Sequence, residues 1–235
     1  MTLDEKAWQA ARERVNAAAR AAGRDPSAIG LVAVSKTRAA ADVRAAYARG
    51  QRAFGENYVQ EAAAKRAELA DLADIRWRLI GPLQSNKAAV AADVFDAVES
   101  VDRAKIADRL SAARAPDRAP LELLVQVNIS GESTKSGVDP GAALALARHV
   151  AVLPRVRLAG FMGIAEPTSD PARRRAQFAT LRRCLEEART SGLAVDVLSM
   201  GMSNDLEAAI AEGATEVRLG TALFGPRSGA AVDRR

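Results

Sequence analysis

Two kinds of hydrophobic spacing alternate along the chain. Short apolar runs, many of them β-branched, occur at 29–34, 51–54, 75–80, 94–100, 121–129, 156–161, 195–200 and 216–219, eight strand candidates in all. Between them lie alanine-rich stretches whose apolar positions recur three and four residues apart. These predict helices over 40–49, closed by Gly50, and over 58–69, 103–114, 141–151 and 171–189, with a last one over 204–212 closed by Gly213. An opening helix precedes the first strand, with Thr2 and Glu5 spaced as a capping box and Gly23 as its stop. Parallel strands joined by right-handed helical crossovers, repeated eight times, close most economically into a (β/α)8 barrel, with an open doubly wound sheet as the alternative. No Gly/Ser/Pro-rich linker interrupts the rhythm, although 115–120 reads as a loop before the fifth strand. The organisation expected is therefore one domain over 1–225 and a frayed tail over 226–235.

Composition narrows the chemistry. A chain of 235 residues that is 49% hydrophobic can bury a substantial core, and only 4% aromatic content favours close-packed helices over an all-β sandwich. The formal charge of +5 comes from scattered arginines rather than a clustered basic stripe, so no nucleic-acid partner is expected. A single cysteine, Cys184, forbids an internal disulfide, and a single histidine, His149, argues against zinc and histidine triads and for a structural place at a helix end. There is no basic leader, and no apolar stretch of roughly 18 residues, the length a spanning helix needs, so a soluble cytoplasmic protein with no membrane contact, and a monomer, is expected.

In a barrel of this kind chemistry belongs where strands give way to loops. The first strand ends Val34-Ser35-Lys36-Thr37. Lys36 stands where the apolar run stops, whereas Lys6, Lys65 and Lys105 fall within amphipathic helical patterns. It is either a strand-end lysine reaching for solvent or a partly desolvated amine suited to a Schiff base with an aldehyde. After the seventh strand comes Ser199-Met200-Gly201-Met202-Ser203-Asn204-Asp205, and Arg218-Leu219-Gly220-Thr221 ends the eighth. Glycines that admit a ligand to the backbone, a Ser203 hydroxyl and a helix start near Asn204 describe a phosphate site, with Met200, Ser203, Gly220 and Thr221 as its candidate residues. An ordinary turn with Ser203 as N-cap is the bland reading. Arg218 either faces outward or points inward and donates to an acceptor such as a pyridine nitrogen. Asn57 and Asn128 add polar groups at strand ends, and either can equally cap a turn.

The segments 31–37, 54–61, 77–87, 125–138, 160–167 and above all 198–225 resemble the YggS/PROSC family of pyridoxal 5'-phosphate (PLP) homeostasis proteins, over almost the whole chain. The resemblance implies a barrel like the alanine racemase N-terminal domain (fold type III), with PLP as cofactor. It further implies a Schiff base on Lys36, phosphate around Ser203, Gly220 and Thr221, and Arg218 facing the pyridine nitrogen. Asn57 matches a family position near the cofactor, and Lys135 matches a second lysine concerned with cofactor handling, although it also reads as a solvated loop charge. Two positions depart from the family pattern: Arg78 in Trp77-Arg78-Leu79-Ile80-Gly81 and Glu99 before Ser100-Val101-Asp102 stand where relatives commonly have histidine.

The function implied is a non-catalytic carrier that buffers PLP and delivers it to apo-enzymes. The rival is an amino-acid racemase on the same barrel. A racemase of that type adds a second β domain supplying a tyrosine, whereas here the barrel pattern ends near Gly225, and Tyr47 and Tyr58 are the only tyrosines. Proton transfer on both faces of a carbanion needs more than one lysine.

Overall fold

The structure, a computed structural model, describes residues 4–132 and 135–225. The proposed tail therefore lies outside the described residues, and so does Thr2. Helix α1 (Glu5–Ala21) is capped instead by Asp4, whose side chain accepts from the amides of Lys6 and Ala7. Asp4 displaces the expected capping box because its carboxylate reaches two of the four amides that a helix start leaves unpaired. Gly23 ends the helix as expected, at φ 67°.

Eight parallel strands follow: β1 (Gly30–Val34), β2 (Ala53–Glu56), β3 (Arg76–Leu79), β4 (Ala97–Val101), β5 (Leu121–Val127), β6 (Val156–Gly163), β7 (Val197–Ser199) and β8 (Glu216–Leu219). They pair in sequence order and close, β8 onto β1 with Val32 opposite Arg218 and Ala33 opposite Leu219. The crossovers are α2 (Ala40–Tyr47), α3 (Val59–Glu68), α4 (Ala88–Val94), α5 (Ala104–Ala113), α6 (Pro140–Ala151), α7 (Pro171–Thr190) and α8 (Leu206–Ala211), with a one-turn α9 (Thr221–Phe224) after β8. The closed barrel, not the open sheet, is the architecture.

Strand alternation sorts side chains into two layers. Outward residues such as Phe54, Trp77, Leu79, Leu123 and Phe161 join the helices in one large core. Leu124, Ala159 and Met162 form a separate apolar group with Val197. Alternation on β3 turns Arg78 away from the helix layer that receives Trp77 and Leu79. His149 ends α6 and bonds Asp108 through Nε2 at 2.6 Å, a helix-end role as expected. Cys184 is buried, and burial pushes its thiol up to about 11.

Candidate functional site

The β1–α2 connection begins with a tight turn, Ser35 to Arg38, closed by Arg38 N donating to Ser35 O at 3.0 Å. Lys36 occupies its second position and Thr37 its third, at φ 62°, a left-handed conformation that a β-branched residue adopts only when neighbours hold it. Glu61 of α3 does so, accepting from Thr37 N at 2.5 Å.

Two strands round the barrel mouth from β1, the β7–α8 loop is shaped by Gly201 and Asp205. Gly201 has φ 96°, and a Cβ there would lie 2.6 Å from Ala209 Cβ, so only glycine lets the loop pass this close to α8. Met202 N donates to Asp205 Oδ1 at 2.5 Å. Burial raises the Asp205 carboxyl above its usual range, although this amide and the nearby Arg218 favour its charged form. From α1, Arg14 donates to Ser203 O at 2.6 Å and grips Glu207 with two further hydrogen bonds at 2.6 and 2.8 Å, fastening the loop from outside. The helix starts at Leu206, two residues later than expected, and Ser203 is not its N-cap.

These two loops and the β8 end enclose a cavity of about 250 Å3 lined by Lys36, Arg38, Ser203, Arg218, Gly220 and Thr221, with Val34, Met202 and Asn204 completing it. Five of the eight residues singled out from sequence thus meet in one place. Met200 does not line this cavity: its side chain is fully buried in the core between barrel and helices, and Met202, beyond the left-handed Gly201, faces the opening instead. Asn57 and Lys135 belong to a neighbouring cavity of about 270 Å3, with Gln126, Asn128, Ser130 and Glu166 among its walls. Lys135 is exposed and pairs with Glu132 at 3.4 Å.

Arg218 points inward, as one of its two readings held. It is 3% exposed, donates to Ser199 Oγ at 2.7 Å and to Gly163 O at 2.9 Å, and also lines the cavity. Burial lowers its hold on its proton, opposed by Glu99, Asp205 and Glu216. Ser199 donates in turn to Glu99, whose other oxygen accepts from Arg78 Nε at 2.6 Å, and Arg78 Nη2 reaches Glu216 at 2.7 Å. The two residues that depart from the family pattern are therefore partners of one another inside the barrel. Burial opposes the Arg78 charge, but Glu99 and Glu216 outweigh it and hold the guanidinium above its usual range. Burial pushes Glu216 up to about 7 despite Arg78 beside it.

Three features of the site escaped the sequence reading. Arg38 joins the cavity wall beside Lys36 and lies against the Phe224 ring. Glu56 is wholly buried at the end of β2, and Lys65, read only as part of an amphipathic helical pattern, is buried against it. The signal for Lys65 was its spacing: Val59, Ala62 and Lys65 recur every three residues and form the buried face of α3.

The cavity has the chemistry that a phosphorylated aldehyde requires. It holds one amine on a fixed turn, hydroxyls and a glycine backbone on two small-residue loops beside it, and a buried cationic donor in its wall. Comparison with known proteins points the same way. The family model described as alanine racemase, N-terminal domain, matches residues 8–228. A protein of Pseudomonas aeruginosa named pyridoxal phosphate homeostasis protein is 56% identical, covering 91% of each chain. Its Escherichia coli namesake is 45% identical over 92% of this chain and 93% of its own. The structure of PipY from Synechococcus elongatus with PLP bound superposes with a TM-score of 0.79 at 41% identity, covering 91% of this chain and all of that one. With a matching barrel, a matching family model and close relatives over nearly its whole length, the chain belongs to the pyridoxal phosphate homeostasis protein family, within the alanine racemase N-terminal domain fold.

Proposed function

We propose that this protein binds pyridoxal 5'-phosphate in the cavity at the barrel mouth through Lys36 and serves PLP homeostasis, buffering the cofactor and passing it to apo-enzymes as a monomer without turnover of its own. The observation carrying this reading is the convergence of Lys36 with Ser203, Gly220, Thr221 and Arg218 around one cavity, built by loops from opposite ends of the sequence. When bound, PLP supplies an aldehyde that condenses with a lysine amine with loss of water, and a ring that draws electrons. Ser203, Gly220 and Thr221 offer donors to the phosphate, and Arg14 keeps the Ser203 loop in place. Arg218 has no acceptor atom, so toward a facing ring nitrogen it can only donate. A ring nitrogen held against it would stay without a proton and the electron sink would be weak, which would disfavour carbanion chemistry. Lys135, exposed at the neighbouring cavity, is in this reading a second lysine concerned with cofactor handling.

The test is an absorbance spectrum of purified protein with PLP, then borohydride reduction and peptide mapping. The label is expected on Lys36, and Lys36→Ala should lose both label and spectrum. The loaded protein should reactivate an added PLP-dependent apo-enzyme and form no D-alanine from L-alanine over hours. Label on another lysine would overturn the site. Robust D-alanine formation that depends on Lys36 would replace the carrier reading with a racemase.

A further inference from the structure

Behind the turn that presents Lys36 lies a buried ionic cluster with no direct share in the cavity. Lys65, 5% exposed, places all three ammonium donors: on Ser35 O at 2.6 Å, on Glu56 Oε1 at 2.7 Å and on Glu61 Oε1 at 2.7 Å. Ser35 Oγ donates to Glu56 Oε1 at 2.7 Å, and Thr37 N to Glu61 Oε1 at 2.5 Å. The carbonyl preceding Lys36 and the amide following it are thus both gripped by one Lys65-centred unit. Glu56 retains an oxygen, Oε2, without a hydrogen-bond partner, and burial raises its carboxyl above the usual range. A buried cluster with an unsatisfied carboxylate oxygen is a poor source of stability. What it does supply is a fixed direction for the Ser35–Thr37 backbone, including the left-handed Thr37.

We infer that Lys65, with Glu61 and Glu56, is a positioning residue that aims the Lys36 side chain across the cavity toward the loops holding Ser203 and Gly220. This deepens the proposed PLP-binding function and rests on it. It also separates the two lysines: the amine of Lys65 is committed to three acceptors, whereas Lys36 opens onto the cavity.

The pair Lys65→Met/Glu56→Gln removes one positive and one negative charge together, so the local net charge is unchanged and no new lone buried ion is left. The full-length double variant, shown folded by circular dichroism, is expected to bind PLP about tenfold or more weakly, since hydrogen bonds to charged groups are at stake. In the PLP-free protein, amide exchange at Lys36 and Thr37 should accelerate by about tenfold while core strands are unchanged. Lys65→Arg, which keeps a cationic donor, should recover most of both effects. If the double variant does not fold, Glu61→Gln, at the partly exposed rim of the cluster, carries the test through faster Thr37 exchange and weaker PLP binding. A folded variant with unchanged affinity and unchanged exchange at Thr37 overturns the inference. If wild-type protein places no borohydride label on Lys36, the functional reading fails instead, and the PLP-free exchange result still decides whether Lys65 holds the turn.

Discussion

Substituting Arg78 by methionine should be the most destabilising single change inside the barrel. The guanidinium is 9% exposed, contacts Glu99, which is wholly buried, at 2.6 Å, and contacts Glu216 at 2.7 Å. At an effective dielectric near 20, each such contact is worth about 6 kcal/mol of gross attraction, largely offset by the loss of hydration of both ions. The intact network is therefore close to neutral. Removing one member is not, because Glu99 would keep only the Ser199 hydroxyl and Arg218 at 4.0 Å. Stranding a buried carboxylate in this way costs about 3–5 kcal/mol. In a chain of this size that is a fall of about 6–20 °C in melting temperature. Methionine matches much of the arginine stem, so little of the loss comes from an empty cavity. The Arg78→Met/Glu99→Gln double variant should recover more than half, since the introduced amide oxygen still accepts from Ser199 Oγ and position 99 carries no charge to strand, while Glu216 sits at the more exposed edge of the network. Urea unfolding of PLP-free wild type, both single variants and the double at pH 8 closes the cycle. A loss below about 1 kcal/mol for Arg78→Met, or a double variant no more stable than that single, would refute the reasoning.

Ser203→Ala should weaken PLP binding about ten- to hundredfold, the loss of one hydrogen bond to an anion, while the Lys36 label persists; unchanged affinity by spectral titration would leave Ser203 only shaping its loop. Gly201→Ala, with φ 96° and a Cβ 2.6 Å from Ala209 Cβ, should destabilise by about 2–5 kcal/mol through strain and overlap together, and a melting temperature equal to wild type would show that the loop gives way freely. Glu216 binds its proton more tightly folded, at about 7, than unfolded, at 4.5. Its contribution is therefore full below about pH 4.5 and is lost as pH rises through about 7. Glu216→Gln should accordingly flatten the fall in stability between those limits and exceed wild type near pH 8; parallel pH profiles would show that Glu216 does not titrate there.

The strand–helix rhythm was legible because apolar periodicity reports which face is buried, and the barrel needs that pattern in every unit. Boundaries failed where burial came from something other than apolarity. The predicted strand over 94–100 absorbed Val94 and Phe95, which end α4 and precede β4, because a continuous apolar run does not distinguish a buried helix end from a strand. The predicted strand over 51–54 stopped before Gly55 and Glu56, since a wholly buried glutamate is invisible until its partner on α3 is known. Lys36, Ser203, Arg218, Gly220 and Thr221 were accessible because each stands at a strand end in small or charged company. Met200 was drawn in by its neighbours, although alternation sends its side chain to the core. Arg78 and Glu99 read as two unrelated oddities; only closure of the barrel makes them a pair.

That closure also dictates when in the life of the chain a binding site exists. Lys36 follows β1, while Arg218, Gly220 and Thr221 arrive with β8, and those two strands are hydrogen-bonded neighbours. During synthesis the first half of the molecule can gather its helices against growing strands, yet it has no β7–α8 loop, no Arg218 and an open edge on β1. The contact between Arg14 and Ser203, 189 residues apart, is equally late. Such long-range pairing is slow, because the entropy of a very large loop must be overcome before any contact rewards it. A cofactor that needs both ends therefore favours only the finished barrel. Its presence during refolding should hold the closed form against reopening without hastening the steps before closure.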